Sequence, residues 1–288
     1  MTSSSTMLVL VAQTSIHAGV SSSVGTVDLP IQRGCHSGRS CIFGSAVKGA
    51  LRTRAEDYKV SWLASVFGSN TNGAGDHAGA ICVVGARLLL FPVRSLTSTF
   101  RWVTCPDVLR RLQRDAELLR LGLNIPIHLP IEEGQALVHQ GCDDLFLEEL
   151  RISAQQIDLS NLIESLLPLV GQERQTELEK RLTIISDDHF DVLCRYATPM
   201  HPHIAIDNAT KNAASGALWY VETLPPESVL YLPLIAHPVR FSKQEMSASE
   251  VLDNLTGLFV SRPWLQLGGN ANVGMGWFNV NILSREEG

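Results

Sequence analysis

Within the 36 residues from His17 to Arg52 the chain sets a histidine, a Gly/Ser-rich loop, a single carboxylate at Asp28 and the turn Gly44-Ser45-x-x-Lys48-Gly49. These are parts for holding a phosphodiester backbone. Glycines at 25, 44 and 49 let the main chain approach a ligand closely, and the N–H groups of a helix start, with Ser45 and Lys48 beside them, attract phosphate oxygens. Arg33, Arg52 and Arg54 add positive charge nearby. The spacing departs from the G-x-x-x-x-G-K-[ST] pattern of a P-loop, which disfavours a nucleoside triphosphatase. Local chemistry alone leaves two readings open, a polyanion cradle and an ordinary strand, turn and helix.

Asp28 is the residue with the most chemical reach. A carboxylate held in a loop can bind a divalent cation, Mg2+ or Mn2+, and such an ion stabilises charge on a phosphate under attack. The competing reading of Asp28 is a turn cap before Pro30. His17, with a reference pKa near neutrality, suits phosphate contact or proton transfer, against a structural role after a strand.

The elements that must position these groups follow from periodicity. Residues 7–13 (MLVLVAQ) predict a buried strand. A loop from Ile16 to Arg33 follows, whose composition predicts mobility unless a ligand orders it. The sequence then predicts a first helix over 45–58 with Ser45 as its N-cap. A turn-rich connection at 67–80 leads into a strand pair through ICVVGARLLLFPV, and Cys105-Pro106-Asp107 opens a helix with basic Arg110, Arg111 and Arg114 on its outer face. The region 143–181 reads as helical in two pieces, with Ser160 as a cap, and from Leu182 the pattern turns to strands. A hairpin spans about 200–224, with Met200-His-Pro-His203 as a Pro-ordered loop tip rather than a metal pair. Ser247-Ala-Ser-Glu250 is a capping box. Four glycines in 268–276 then precede an alternating strand from Trp277. Strand–helix–strand order at both ends predicts an α+β chain with a ferredoxin-like, RRM-related core, built as one domain over 1–288 with insertions.

Composition bounds the class. The 288 residues are 45% hydrophobic and 18% charged, as in a globular protein. No apolar run reaches membrane-span length, and MTSSSTM lacks the features of a signal peptide, so no membrane partner and a cytoplasmic location are expected. A net charge of −6 argues against indiscriminate coating of nucleic acid. The charge is uneven, however: basic residues dominate Arg33–Arg114, and acidic ones are frequent over 132–191. Six cysteines never form a C-x-x-C pair, which disfavours zinc and disulfide frameworks. Cys35, His36 and Cys41 are the one cluster of metal-ligand types, at a spacing that matches no standard zinc module.

The segments HAG…VDLPIQR, GSAVKGALR, ARLLLFPVRSL, FRWVTCPDVLRRL and LGGNANVGMGW, in this order, resemble one family over nearly the whole chain: the repeated backbone subunit of type III-B CRISPR effector complexes, a RAMP (repeat-associated mysterious protein). DLPIQR and WVTCP carry most of the specificity. Gly34 stands where an acidic residue is expected in that family. The resemblance implies a RAMP fold whose β-hairpin is a thumb that reaches over the guide RNA. It also implies metal-dependent cleavage of target RNA by Asp28, leaving a 2′,3′-cyclic phosphate and a 5′-hydroxyl. His17, Glu222 and Tyr220 become further candidates for the cleavage site. Arg33, Ser45, Lys48 and Arg52, with Gly269, Asn270, Asn272 and Gly274 of the glycine-rich loop, become candidates for RNA contact. The implied partners are a CRISPR guide RNA, a complementary target RNA, further copies of this chain and other subunits of the complex. Two other readings compete. One is a scaffold of the same complex that binds guide RNA without cutting. The other is a lone RAMP endonuclease that matures guide precursors.

Overall fold

The computed structural model describes residues 3–20, 27–69, 78–141, 143–207, 209–240 and 245–284. Gly25 and Ser21–Ser23 of the first loop, most of the 67–80 connection and Cys142 lie outside the described residues.

Strand β1 (Ser4–Ala12) grows from the run Met7–Ala12, whose six side chains are all buried. Consecutive buried positions require cover on both faces of a sheet. The chain continues through β2 (Cys41–Ile42), α1 (Gly44–Asp57), α2 (Leu63–Phe67), β3 (Ile81–Val83), β4 (Ala86–Arg94), β5 (Phe100–Thr104) and α3 (Pro106–Leu119). An insertion holds β6 (Gln135–Val138), β7 (Asp144–Leu147), β8 (Leu150–Gln156), α4 (Ser160–Val170), α5 (Gln175–Arg181), β9 (Leu182–Ile185) and α6 (Asp187–Tyr196). The hairpin β10 (Met200–Ile206) and β11 (Ala213–Glu222) follows, then β12 (Val229–Ala236), α7 (Ala248–Gly257), β13 (Trp264–Gln266) and β14 (Trp277–Ser284).

The main sheet runs β13-β14-β1-β12-β4-β5-β9-β6-β8-β7. Its centre, β14-β1-β12-β4, is antiparallel throughout. With α1 between β1 and β4 and α7 between β12 and β14, this is the strand order of a ferredoxin-like core made from the two ends of the chain. Helices α3, α4 and α7 pack against β1 and supply the cover its sequence demands. The α+β expectation holds, with β10-β11 standing apart as a two-stranded sheet.

Local expectations fail where tertiary pairing overrides the helical pattern. Residues 144–156, expected as helix, are the antiparallel pair β7-β8, with Leu147 opposite Leu150 and a two-residue turn at Glu148 (φ 51°). Their apolar positions 145, 147, 150 and 152 satisfy a strand as well as a helix, and no Asn-Gly marks the turn. After Leu182 a helix intervenes: Ser186 caps α6, accepting from the His189 N–H, with Asp187 and Asp188 in the first turn. Ser45 and Ser160 are not caps. Phe43 and Leu159 hold those positions without a side-chain cap bond, and at α4 the Asp158 carboxylate accepts from both the N–H and hydroxyl of Ser160. The capping box at Ser247 and Glu250 is present in full. His201 and His203 lie within β10 rather than in a loop tip, and His203 stacks on Trp219.

One half-buried arginine ties the front of the fold together. Arg39 reaches Asp107 on α3 (2.6 Å) and Asp191 on α6 (2.5 Å), and lies over the Phe190 ring. Partial burial pushes the Asp107 pKa up, but the Arg39 guanidinium outweighs it and leaves the carboxyl below its ordinary value.

Candidate functional site

Asp28 sits at the base of the β10-β11 hairpin, and the main chain puts it there. Residues Asp28–Ile31 lie beside the end of β11, with Leu29 bridged in parallel to Val221. Four hydrogen bonds seat this segment. The Tyr220 N–H donates to Oδ2 of Asp28 (2.8 Å) and the Leu29 N–H donates to the Tyr220 carbonyl (3.1 Å). The Glu222 N–H donates to the Leu29 carbonyl (3.0 Å), and the Ile31 N–H donates to Oε2 of Glu222 (3.0 Å). The Asp28 side chain is exposed while the segment beneath it is tethered. A carboxylate held at the surface suits a macromolecular ligand laid across it, not a small molecule in a pocket.

Glu222 is 5% exposed and makes its contacts inside the protein. Its Oε1 accepts from the Thr198 hydroxyl (2.6 Å) and from Arg33, with which it forms an ion pair. Arg33 in turn donates to the carbonyls of Cys194 (2.6 Å) and Gly38 (3.0 Å) and to the hydroxyls of Ser40 and Thr198. Its guanidinium therefore faces the protein rather than the solvent. Thr198 was not legible as a partner, because nothing near it in sequence carries a motif.

His17 is 8% exposed. Its Nδ1 lies 2.8 Å from the Glu222 carbonyl, and since a carbonyl only accepts, Nδ1 carries the proton. The His17 carbonyl accepts from the Gly269 N–H (2.8 Å), so this residue joins the glycine-rich loop to the end of β11. That contact explains Gly268. At φ 102°, a Cβ there would lie 2.7 Å from the His17 carbonyl oxygen. Asn270 takes a left-handed conformation, and Gly269, Asn270, Asn272 and Gly274 are all exposed along the loop.

The candidates on α1 make no hydrogen bond to Asp28, Glu222 or His17 among the described residues. Ser45 is exposed and Lys48 half-buried, and Arg52 pairs with Glu56 (2.9 Å) while donating to the Gly68 carbonyl. Gly44 has a packing reason of its own, since a Cβ there would meet the Val83 carbonyl at 2.4 Å. Beside the start of α1 runs a groove of about 540 Å³, lined among others by His36, Phe43, Arg87, Arg111 and Arg114.

The donor set at Asp28 bears on a metal ion. Among the described residues no three His, Cys, Asp or Glu side chains gather to hold one. Mg2+ commonly takes one or two carboxylates and completes its shell with water and substrate phosphates. A single exposed carboxylate beside a phosphodiester fits that pattern.

The model of the RAMP superfamily matches residues 9–279. This chain belongs to the RAMP superfamily. As a RAMP protein it is 32% identical over 281 residues to the CRISPR system Cmr endoribonuclease Cmr4 of Pyrococcus furiosus, covering 93% of this chain and 92% of that one. The crystal structure of oligomeric Cmr4 from Pyrococcus furiosus superimposes with a TM-score of 0.75 at 26% identity, covering 97% of this chain and 98% of the other. The same RAMP fold appears in the cryo-EM structure of the type III-B Cmr-beta complex bound to cognate target RNA, at a TM-score of 0.73 and 18% identity over 97% of each chain.

Proposed function

We propose that this RAMP protein is the repeated backbone subunit of a type III-B CRISPR effector complex, and that it cleaves target RNA paired to the guide. The observation that carries this reading is the exposed Asp28 carboxylate, oriented by the Tyr220 N–H at the foot of the β10-β11 hairpin. Similarity to a Cmr endoribonuclease over 93% of the chain supports it. Copies stack along the guide RNA with other subunits of the complex, so that each presents its own Asp28 at a regular interval. Base pairing reads the sequence, and the protein reads RNA shape and backbone.

In this scheme the β10-β11 thumb and Asp28 hold one target phosphodiester so that its 2′-oxygen lies in line with the 5′-oxygen that leaves. The 2′-oxygen forms a bond to phosphorus and gives up its proton to solvent, the bond to the 5′-oxygen breaks, and that oxygen takes a proton. The products are a 2′,3′-cyclic phosphate and a 5′-hydroxyl. Asp28 is the residue that would hold a divalent cation, Mg2+ or Mn2+, and such an ion would supply charge stabilisation at the phosphate under attack. Asp28 fixes position, Glu222 and His17 support the segment that carries it, and Tyr220 contributes its main-chain donor. Ser45, Lys48, Arg52 and the exposed glycine-rich loop contact the guide backbone. Partner binding takes place in the compartment where guide and target RNA meet, and among the described residues no helix is long and apolar enough to cross a membrane.

The test is to purify the complex with its neighbouring subunits, extract bound RNA, and incubate the complex with a labelled complementary RNA and magnesium. Evenly spaced cuts that vanish in Asp28→Ala support the guided nuclease. Bound guide without cuts leaves the scaffold reading, and the absence of guide overturns the assignment.

A further inference from the structure

We propose that Arg33 is a positioning residue for RNA cleavage and not an RNA contact. With Glu222 and Thr198 it forms a partly buried cluster that sets where the Asp28 segment sits and therefore which phosphodiester is cut. The inference rests on the reading of Asp28 as the cutting group.

The geometry is a relay of direct bonds. Nη2 of Arg33 pairs with Oε1 of Glu222 and donates to the Thr198 hydroxyl, which donates in turn to the same Oε1. That arrangement fixes the carboxylate plane, leaving Oε2 aimed at the Ile31 N–H, three residues from Asp28. Nη1 holds the other end, on the carbonyl at the end of α6 (Cys194) and on the 34–40 turn. The guanidinium thus joins three elements that carry no cleavage chemistry to the one segment that does. A carboxylate with one oxygen on an arginine and a hydroxyl and the other on a backbone N–H has little rotational freedom. In-line displacement is sensitive to displacements of this scale, because an error of about 1 Å at the reacting atoms costs about 10²-fold in rate.

The reading separates Arg33 from Lys48. A phosphate contact changes affinity and its salt dependence, whereas a positioning residue changes the rate of the bound state and the fidelity of the cut. The experiment uses the assembled complex carrying Arg33→Gln, with single-turnover cleavage at saturating target and products mapped at nucleotide resolution. The expected result is a rate lower by about 10²-fold, cuts spread to neighbouring phosphodiesters, and unchanged guide content and target affinity. Because Arg33→Gln strips several partly buried bonds, Thr198→Val is the second variant. It keeps the ion pair, removes the hydroxyl, and is expected to lower the same rate without changing affinity, with Thr198→Ser restoring it. Weaker RNA binding with a reduced salt slope and an unchanged rate for bound target assigns Arg33 to RNA and overturns the proposal. Wild-type rate and cut positions in both Arg33→Gln and Thr198→Val overturn it as well. An Asp28→Ala control that still cuts removes the reading of Asp28 itself and the proposal with it, whereas a silent control with an unaffected Arg33→Gln removes only the proposal.

Discussion

The N–H of Tyr220 donates to Oδ2 of Asp28 at 2.8 Å across 192 positions of sequence. With three further hydrogen bonds to the Leu29–Ile31 segment, this bond holds an exposed carboxylate at the root of the β10-β11 hairpin. Because the donor belongs to the main chain, the arrangement survives a change of the Tyr220 side chain.

Asp28→Ala in the assembled complex is expected to reduce target cleavage by at least about 10²-fold while guide content stays near wild type. Chelation of divalent ions is expected to do the same to the wild-type complex. Denaturing gels of labelled target and extracted guide measure both. Loss of assembly in Asp28→Ala would give Asp28 a structural role instead.

Tyr220→Phe is expected to cut at nearly the wild-type rate, because the 220 N–H remains in place. A fall of 10-fold or more in single-turnover rate, about 1.4 kcal/mol, would assign the phenol to the chemistry.

The glycine-rich loop separates two kinds of glycine. Gly268→Ala drives a Cβ against the His17 carbonyl at a positive φ, and is expected to cost roughly 1–3 kcal/mol. Gly274 is also at positive φ, 84°, but a Cβ there meets nothing within 4 Å, so Gly274→Ala is expected to cost about 1 kcal/mol. Thermal unfolding of the two variants gives the comparison.

Lys48 and Arg52 are expected to differ in RNA affinity. Lys48→Ala should lower the slope of log affinity against log salt by about 0.7 to 0.9, the value for one phosphate contact. Arg52 pairs with Glu56 and donates to the Gly68 carbonyl, so Arg52→Ala should lower it less. Equal slopes in wild type and Lys48→Ala would remove Lys48 from the RNA path.

Acid stability has a predictable sign at Asp107. Its folded pKa lies below the ordinary value because the pull of Arg39 outweighs the burial that raises it, so the contribution is present above the unfolded pKa of about 3.9 and lost as pH falls through the folded value. The difference in melting temperature between wild type and Asp107→Asn should therefore be largest near neutrality and narrow below pH of about 4. A difference that grows on acidification would contradict the Arg39–Asp107 pairing.

The sequence alone determined the parts whose causes are local. The six buried residues Met7–Ala12 announced a covered central strand, Pro106 and Asp107 announced α3, and Ser247 with Glu250 announced α7. Family motifs carried the fold, the hairpin and the choice of Asp28 as the chemical residue. Tertiary structure decided the rest. The stretch 144–156 became strands because β6 offered β8 an edge to pair with, which no helical period can report. Gly44 lies so close to the Val83 carbonyl that a Cβ would not fit, a packing reason that its spacing in the chain does not report. Arg33 and Glu222 are 189 positions apart, and their pairing, with Thr198 between them, exists only once β11 lies beside residues 28–31. Spacing along a chain records neighbours in the same element, whereas the orientation of a carboxylate depends on donors that folding brings from elsewhere.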